Sequence, residues 1–425
     1  MNKHLRILIA FLLVAVMVLG VVSCAKEEVP ANSDTTPTDT TPGEQTPGGE
    51  QTPGGEQTPG GEQTPVIPPE EQETTKTWVF YPVNYATKGV KVLGVRNLTT
   101  RTDKGINLDW AGSGIEVNLN LEGKQRVRFI LEAAADCYFK VYVDGEHYKN
   151  GEDDYFMIMG GEEAEQINLT DIKGGVHNFK IVKVTDYATT SAEIQEVAFV
   201  GNIVETAPAD NELYVEFVGD GITTGAGLMD GAEDATKAYA YIAANKLGAD
   251  YAITAVNGFG LVYDEAMNVA DAYLLTSPRA SAKYKFVREA DIVVLNVGTM
   301  DFAADALTDD DYAEAFQAAY LELLNTVRAN NNKQTKILCV YGAINDNYAT
   351  AITAAVTAFG GEAKGVYTLK LDATTATAEE GIAFPTAAEQ AAYAEAIAAK
   401  ITAIKDVKIQ YPIVEGAGVV LDWAA

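Results

Sequence analysis

At Leu213 the residue pattern of this 425-residue chain changes, and that change limits what it can fold into. Before it, short runs rich in β-branched and aromatic residues (90–95, 114–121, 126–132, 138–143, 166–169, 178–183 and 192–200) are separated by Gly and Asp turns, with Asp144-Gly145 as a hairpin signal. Strands at that spacing predict an all-β sandwich beginning near Trp78. Residues 205–211 read as a brief polar connection. Beyond Leu213, apolar runs at 214–218, 251–256, 292–297, 336–340 and 366–370 alternate with alanine-rich helical stretches near 235–247, 311–329, 349–359 and 387–404. Continuous apolar strands with helical crossovers predict an α/β fold, a parallel sheet covered on both faces. Ligands of such sheets bind outside the carboxyl ends of the strands, where Gly221, Asn257, Gly298 and the loop before Ala387 would gather.

The first 76 residues carry no folding pattern of this kind. A basic start (Lys3, Arg6) leads into an apolar run from Ile7 to Val22 and then Val21-Val22-Ser23-Cys24. We read residues 1–24 as a secretory signal ending in a bacterial lipobox, so that Cys24 becomes the lipid-bearing first mature residue. The alternatives are an ordinary signal peptide or a membrane helix with a chance cysteine. Residues 25–76 are Thr, Pro, Gly, Glu and Gln, with the repeat Thr-Pro-Gly-Gly-Glu-Gln between Thr46 and Gln63. They cannot bury a core and are expected to form a disordered tether with a reach of roughly 40 Å. The expected location is therefore the bacterial cell surface, with the membrane engaged only through the lipid.

Composition narrows the partner. A formal charge of −29 and no Lys/Arg cluster exclude a nucleic-acid partner, whose phosphates demand concentrated cations, and leave a neutral polysaccharide as the better fit. The 47% hydrophobic content is enough for two cores, expected over 77–204 and 211–405, with 406–425 as a tail that could add strands. Cys137 and Cys339 fall in apolar strand-like contexts in different domains and read as buried free thiols.

Three segments of the first part, Trp110-Ala-Gly-Ser-Gly-Ile-Glu116, Tyr138-Phe-Lys-Val-Tyr-Val-Asp-Gly145 and Gly175-Val-His-Asn-Phe-Lys-Ile-Val-Lys183, form an ordered set with segments of the second. The latter are Gly219-Asp220, Tyr239 to Tyr251, Gly258-Phe-Gly260 and Val294-Leu-Asn-Val-Gly-Thr-Met-Asp-Phe302. The set resembles the family 2 carbohydrate esterases, which place a jelly-roll domain before a flavodoxin-like SGNH hydrolase domain and remove acetyl groups from plant polysaccharides; the expected partner of this chain is a polysaccharide of the xylan, mannan or glucan type. The resemblance spans roughly residues 85–405. It implies a nucleophile loop at Val215-Glu-Phe-Val-Gly-Asp-Gly-Ile-Thr-Thr-Gly-Ala-Gly227.

The departures fall on the family's reactive positions. Gly221 stands in place of the serine, Met300 in place of the asparagine that helps form the oxyanion hole, and Phe384-Pro385 in place of His-Pro. The chain's three histidines are at 4, 147 and 177, so none follows Gly221 to serve as a base. Gly258 and the Gly221 loop could still offer two N–H donors, but without nucleophile and base these retain only a residual rate. The resemblance therefore implies a glycan-binding protein with no catalytic residue, whose candidate binding residues are Asp220, Gly258, Phe384 and Asp301. Two readings of the replaced positions stay open. In one, Phe384 and Met300 pack over Gly221 and fill the cleft; in the other, Phe384 is an exposed platform for a sugar ring. An enzymatic alternative would have Asp220 or Asp301 activate water, or Thr223 or Thr224 replace the serine. A third is a surface scaffold for other proteins.

Other motifs carry less. Asp309-Asp310-Asp311 resembles a calcium loop but reads better as acidic residues opening a helix. Asp153-Asp154 beside Tyr155-Phe156 reads as a solvated loop rather than a glycan or calcium site. Gly225-Ala-Gly227 lacks the lysine of a phosphate loop, and His147 and His177 are isolated, so neither a cofactor nor a metal is implied.

Overall fold

The computed structural model describes residues 77–96, 105–161, 163–229, 232–263, 268–278, 280, 282–303, 310–378 and 382–411. The signal segment with Cys24, the tether, Asp309 of the acidic triplet and residues 412–425 lie outside them.

Twelve short strands come first: β1 (Val79–Pro82), β2 (Val90–Leu93), β3 (Ile106–Leu108), β4 (Gly114–Leu121), β5 (Gln125–Ala133), β6 (Cys137–Val143), β7 (Glu146–Tyr148), β8 (Phe156–Ile158), β9 (Glu165–Ile172), β10 (Gly175–Lys183), β11 (Ala192–Phe199) and β12 (Gly201–Ile203). They form two antiparallel sheets. One runs β1-β11-β5-β9 with β3 on β11; the other runs β12-β4-β10-β6-β7 with β2 on β4 and β8 on β6. Alternation does the sorting: in β4 and β5 every second residue is buried, and Val117, Leu119, Phe129, Leu131, Phe179 and Ile181 meet in one core between the sheets. Cys137 belongs to that core, and burial pushes its thiol up to about 11.

The polypeptide then winds a five-stranded, wholly parallel sheet from β13 (Tyr214–Gly219), β14 (Asp250–Ala255), β15 (Ile292–Asn296), β16 (Lys336–Tyr341) and β17 (Val366–Lys370), in the order β14-β13-β15-β16-β17. Its helices are α1 (Gly221–Thr224), α2 (Tyr239–Leu247), α3 (Val269–Tyr273), α4 (Thr299–Ala303), α5 (Asp310–Ala329), α6 (Ala349–Phe359) and α7 (Ala387–Ile404). Helices α2 and α7 cover one face, where Tyr239, Ala243, Ala394 and Ile397 join Val215 and Phe217. The opposite face, with Val218, Val293 and Leu295, is covered by α5 and α6 through Phe316, Tyr320, Leu323 and Ile352. Two covered faces require strands buried along both sides, and every residue of β13, β14 and β15 is buried. Cys339, in β16, is a second buried free thiol, raised to about 12 by burial.

Two features differ from the sequence reading. The helix expected over 235–247 is split into a 3₁₀ turn, Ala235–Lys237, and α2, because the Asp234 carboxylate caps the Thr236 N–H and Ala238 is extended at φ −73° and ψ 150°. The tail residues up to Tyr411 add no strand. Instead the Gln334 side chain bridges the backbone of Ile409, accepting from its N–H at 2.9 Å and donating to its carbonyl at 3.1 Å.

The sandwich is tied to the parallel sheet by a buried arginine. Arg96, 2% exposed, pairs with the Glu216 carboxylate of β13, donates to the Tyr273 carbonyl, and lies 4.4 Å from the Tyr284 ring and 5.0 Å from that of Tyr273. Trp110 adds an Nε1–H bond of 2.9 Å to the Thr276 carbonyl. A guanidinium suits this position because its flat faces stack on rings while its edge stays hydrogen-bonded. Removing it strands the Glu216 charge in a dry interior. Arg96→Ala should therefore lower unfolding free energy by about 3–5 kcal/mol in urea titrations, and adding Glu216→Gln should recover part of the loss.

Candidate functional site

The carboxyl ends of β13, β14 and β15 bring Gly221, Asn257 and the Gly298 turn together, and α7 brings Phe384. Asp220 follows β13 and is the N-cap of α1: its carboxylate accepts from the Ile222 N–H at 3.3 Å and from the Thr299 N–H and Oγ1–H at 3.0 and 2.9 Å. One side chain thus caps α1 and holds the start of α4. Burial, opposed by the Thr299 bonds, lifts Asp220 to about 6.

Phe384 is positioned from the other side. Thr386 and Glu389 form a capping box at the start of α7, and the Glu389 carboxylate also accepts from the Thr375 N–H, a bond that helps hold it down to about 2. Gln390 then locks α7 to α1, accepting from the Tyr239 N–H at 2.9 Å and donating to the Ile222 carbonyl at 3.0 Å. The half-buried Phe384 ring is thereby held against Gly221. A Cβ on Gly221 would lie 2.8 and 3.0 Å from Cε1 and Cζ of Phe384, and 2.4 Å from Oδ1 of Asn257. The opposite edge of the Phe384 side chain faces Gly227, whose Cβ position is 3.5 Å from Phe384 Cβ. Gly258, at φ +89°, has open space where a side chain would project. The backbone N–H groups of Gly221 and Gly258 carry no hydrogen bond among the described residues.

The sandwich contributes to the same spot. Asp186, on the loop after β10, accepts from the Asn257 N–H at 2.6 Å, and the Asn257 side-chain amide donates to Glu233 at 3.1 Å. Thr189 donates to the second Glu233 oxygen at 2.7 Å. Burial and the nearby Glu233 charge raise the Asp186 carboxyl. Buried Lys183 donates to the Thr185 and Asp186 carbonyls at 2.9 and 3.1 Å and so fixes that loop. Nothing in the sequence marked Asp186, Glu233 or the Asn257 side chain as neighbours; their contacts span 71 and 24 residues.

The predicted residues therefore separate into two groups. Buried Gly221 and the half-buried Phe384 ring meet directly, Gly258 lies one residue beyond the Asn257 that also touches the Gly221 position, and Met300, half-buried on α4, follows Thr299. Asp220 and Asp301, offered as binding residues, are wholly buried and bonded inward. Asp301 accepts from the Leu261, Val262 and Tyr263 N–H groups at 2.7, 2.7 and 2.9 Å, so it shapes the loop beyond Gly258. Both carboxylates are occupied by their own fold, which removes them as ligand contacts and as water activators. Thr223 and Thr224 also turn inward, bonding to the Tyr239 hydroxyl at 2.8 Å and the Gly221 carbonyl at 3.2 Å. His147 contacts the Asp154 carbonyl at 2.9 Å and His177 the Asp144 carboxylate at 2.7 Å, both within the β6–β10 region. Among the described residues no hydroxyl is hydrogen-bonded to an imidazole, and no group of three metal-ligating side chains occurs. Asp154 pairs with Lys149 at 2.8 Å on an exposed turn.

No protein-family model matches the chain. The cellulase/esterase CelE of Acetivibrio thermocellus is 26% identical over 247 residues, 55% of this chain and 29% of that protein; the chain thus spans under a third of its relative's length. Among solved structures, a family two carbohydrate esterase from Clostridium thermocellum in complex with cellohexaose superposes with a TM-score of 0.63 at 23% identity, over 74% of this chain and 98% of that one. A carbohydrate esterase whose active site is described as displaying divergent catalytic and non-catalytic binding functions superposes with a TM-score of 0.56 at 16% identity, covering 76% and 97%. The fold is that of the family 2 carbohydrate esterases.

Two outcomes follow from this geometry. Gly221→Ser should cost about 1–3 kcal/mol of stability through the collision with Asn257 and Phe384, and Phe384→Ala in the same chain should relieve part of it in thermal or urea unfolding. Asp220, whose folded pKa of about 6 exceeds the unfolded value, binds its proton more tightly in the folded state. Its stabilisation is therefore complete at pH values below the unfolded pKa and is lost as pH rises through the folded one. The stability of the wild type minus that of Asp220→Asn should fall between pH 4 and pH 7; a rise would mean that the Thr299 bonds outweigh burial.

Proposed function

We propose that this chain is a cell-surface lipoprotein that binds neutral polysaccharide through the Gly221–Phe384 face and does not cleave esters there. The observation carrying this reading is the occupancy at Gly221: an aromatic ring and a carboxamide fill the volume from which an attacking oxygen would have to project. Acyl transfer on such a loop needs a nucleophile with a base in hydrogen-bonding reach, and neither stands there. What remains is the half-buried Phe384 ring, the open space at Gly258, and the two backbone donors of Gly221 and Gly258. A sugar ring can stack on Phe384 and direct hydroxyls to the donors.

The comparisons support the ligand class: a structural neighbour was solved with cellohexaose, and another pairs catalytic with non-catalytic binding. The lipobox at Cys24 and the tether support display at the surface, and the two antiparallel sheets support a jelly-roll as the domain preceding the esterase-like one.

The full-length protein should turn over a chromogenic acetate ester no faster than buffer, and should be retained on at least one of insoluble xylan, mannan or cellulose. Phe384→Ala should reduce that retention, while a charge-neutral surface substitution such as Thr353→Ser should not. Ester turnover above the blank would defeat the non-catalytic reading. Absence of retention on every glycan would defeat the binding reading and favour a protein scaffold.

A further inference from the structure

An aromatic ring accepts the flat face of a sugar without choosing among sugars, so selectivity at the Gly221–Phe384 face falls to the polar groups beside the ring. Asn257, half-buried on the loop after β14, is one whose orientation the fold dictates. Two buried carboxylates grip it: Asp186 accepts from its backbone N–H at 2.6 Å, and Glu233 accepts from its Nδ2 at 3.1 Å. Thr189 repeats the pattern, giving its N–H to Asp186 at 3.3 Å and its hydroxyl to Glu233 at 2.7 Å. Asn257 and Thr189 thus each bridge the same two carboxylates. The four bonds close a ring through the sandwich loop, the residues before the 3₁₀ turn and the loop after β14.

A carboxamide has a donor edge and an acceptor edge, and this ring decides which one faces the site. Turned over, Asn257 would set its Oδ1 against a Glu233 oxygen, acceptor on acceptor. The NH₂ edge is therefore kept on Glu233, and Oδ1 is aimed at Gly221, 2.4 Å from that residue's Cβ position. Cε1 and Cζ of Phe384 reach the same point at 2.8 and 3.0 Å, so the oxygen sits at the edge of the aromatic ring. It accepts from no group among the described residues. Beside it are the unpaired N–H groups of Gly221 and Gly258.

One fixed acceptor next to two donors matches a hydroxyl, which gives one hydrogen bond and receives others. An ester or ether oxygen in the same place has no proton to give and would face the Asn257 oxygen unpaired. Its substituent would also have to enter space that the ring and the carboxamide already fill. Both effects act in the same direction, and a site built to bond a hydroxyl rejects the analogue that lacks it. We infer that Asn257 is the specificity-determining residue of this face, and that the ligand is a neutral glycan whose hydroxyls are free rather than O-acylated or O-alkylated. This rests on glycan binding at the Gly221–Phe384 face and narrows which glycan the face takes.

Isothermal titration of the full-length protein compares cellohexaose, xylohexaose and mannohexaose with forms of each bearing one O-acetyl or one O-methyl group per sugar. At least one free saccharide should bind, and its two masked forms should bind at least about tenfold more weakly, the loss expected for an acceptor left without its donor. Asn257→Ala removes the acceptor and opens the space around it, and should cut that preference at least about fivefold. Should Asn257→Ala fail to fold, Glu233→Gln takes its place: a neutral carboxamide accepts either edge of Asn257, so the preference should shrink while the volume of the site stays the same. Equal affinity of the wild type for free and masked saccharides, or an intact preference in the folded variant, would overturn the role of Asn257 and leave glycan binding at this face standing. No binding of any saccharide, free or masked, would instead overturn the binding reading, and this inference with it.

Discussion

The site depends on one steric fact, that position 221 has no room for a Cβ. The Phe384 ring and the Asn257 carboxamide occupy the space a Cβ at 221 would need, lying 2.4 to 3.0 Å from that position, and each is fixed by a separate part of the fold. Helix α7 holds Phe384 through its capping box and the Gln390 bridge to α1. Asp186 and Glu233 hold Asn257 through its backbone and side-chain amides. Position 221 and the two side chains that close on it are therefore held as one packed unit by two independent sets of bonds.

The two β-sheets are part of this arrangement and more than an appendage. Arg96 enters the parallel-sheet side and meets Glu216 on the strand that ends at Gly219, while Asp186 reaches the loop after β14. Lys91 meets Asp250 at 2.7 Å, and Lys140 and Tyr155 meet Asp234 at 3.2 and 2.6 Å. Each of these pairs is largely removed from water, so breaking one would expose an uncompensated charge rather than merely lose an attraction. Such ties set the position of the Asn257 loop from outside the sheet that bears it.

Much of the fold was legible in the residue pattern. The seven strands expected before residue 201 and the five expected after residue 213 all exist, because alternation in the first set and unbroken apolar runs in the second follow directly from one-sided and two-sided burial. Elements of three to five residues, such as β3, β7, β12, α1 and α4, escaped because so few residues establish no period. At the site, Gly221, Met300 and Phe384 stood out through their place in a known family pattern. The inward roles of Asp220 and Asp301 did not, since a carboxylate that caps a helix and one that meets a ligand look alike in a sequence. The contacts of Asn257 with Asp186 and Glu233 arise only when the sandwich loop is folded against the sheet, so neither spacing nor residue type announced them.

The central claim is that no activated nucleophile stands beside Gly221. Intact-mass spectrometry of the full-length protein after incubation with an excess of a fluorophosphonate tests it without reference to any substrate. The account predicts an unchanged mass. A stoichiometric phosphonyl adduct on a residue between 211 and 405 would contradict it.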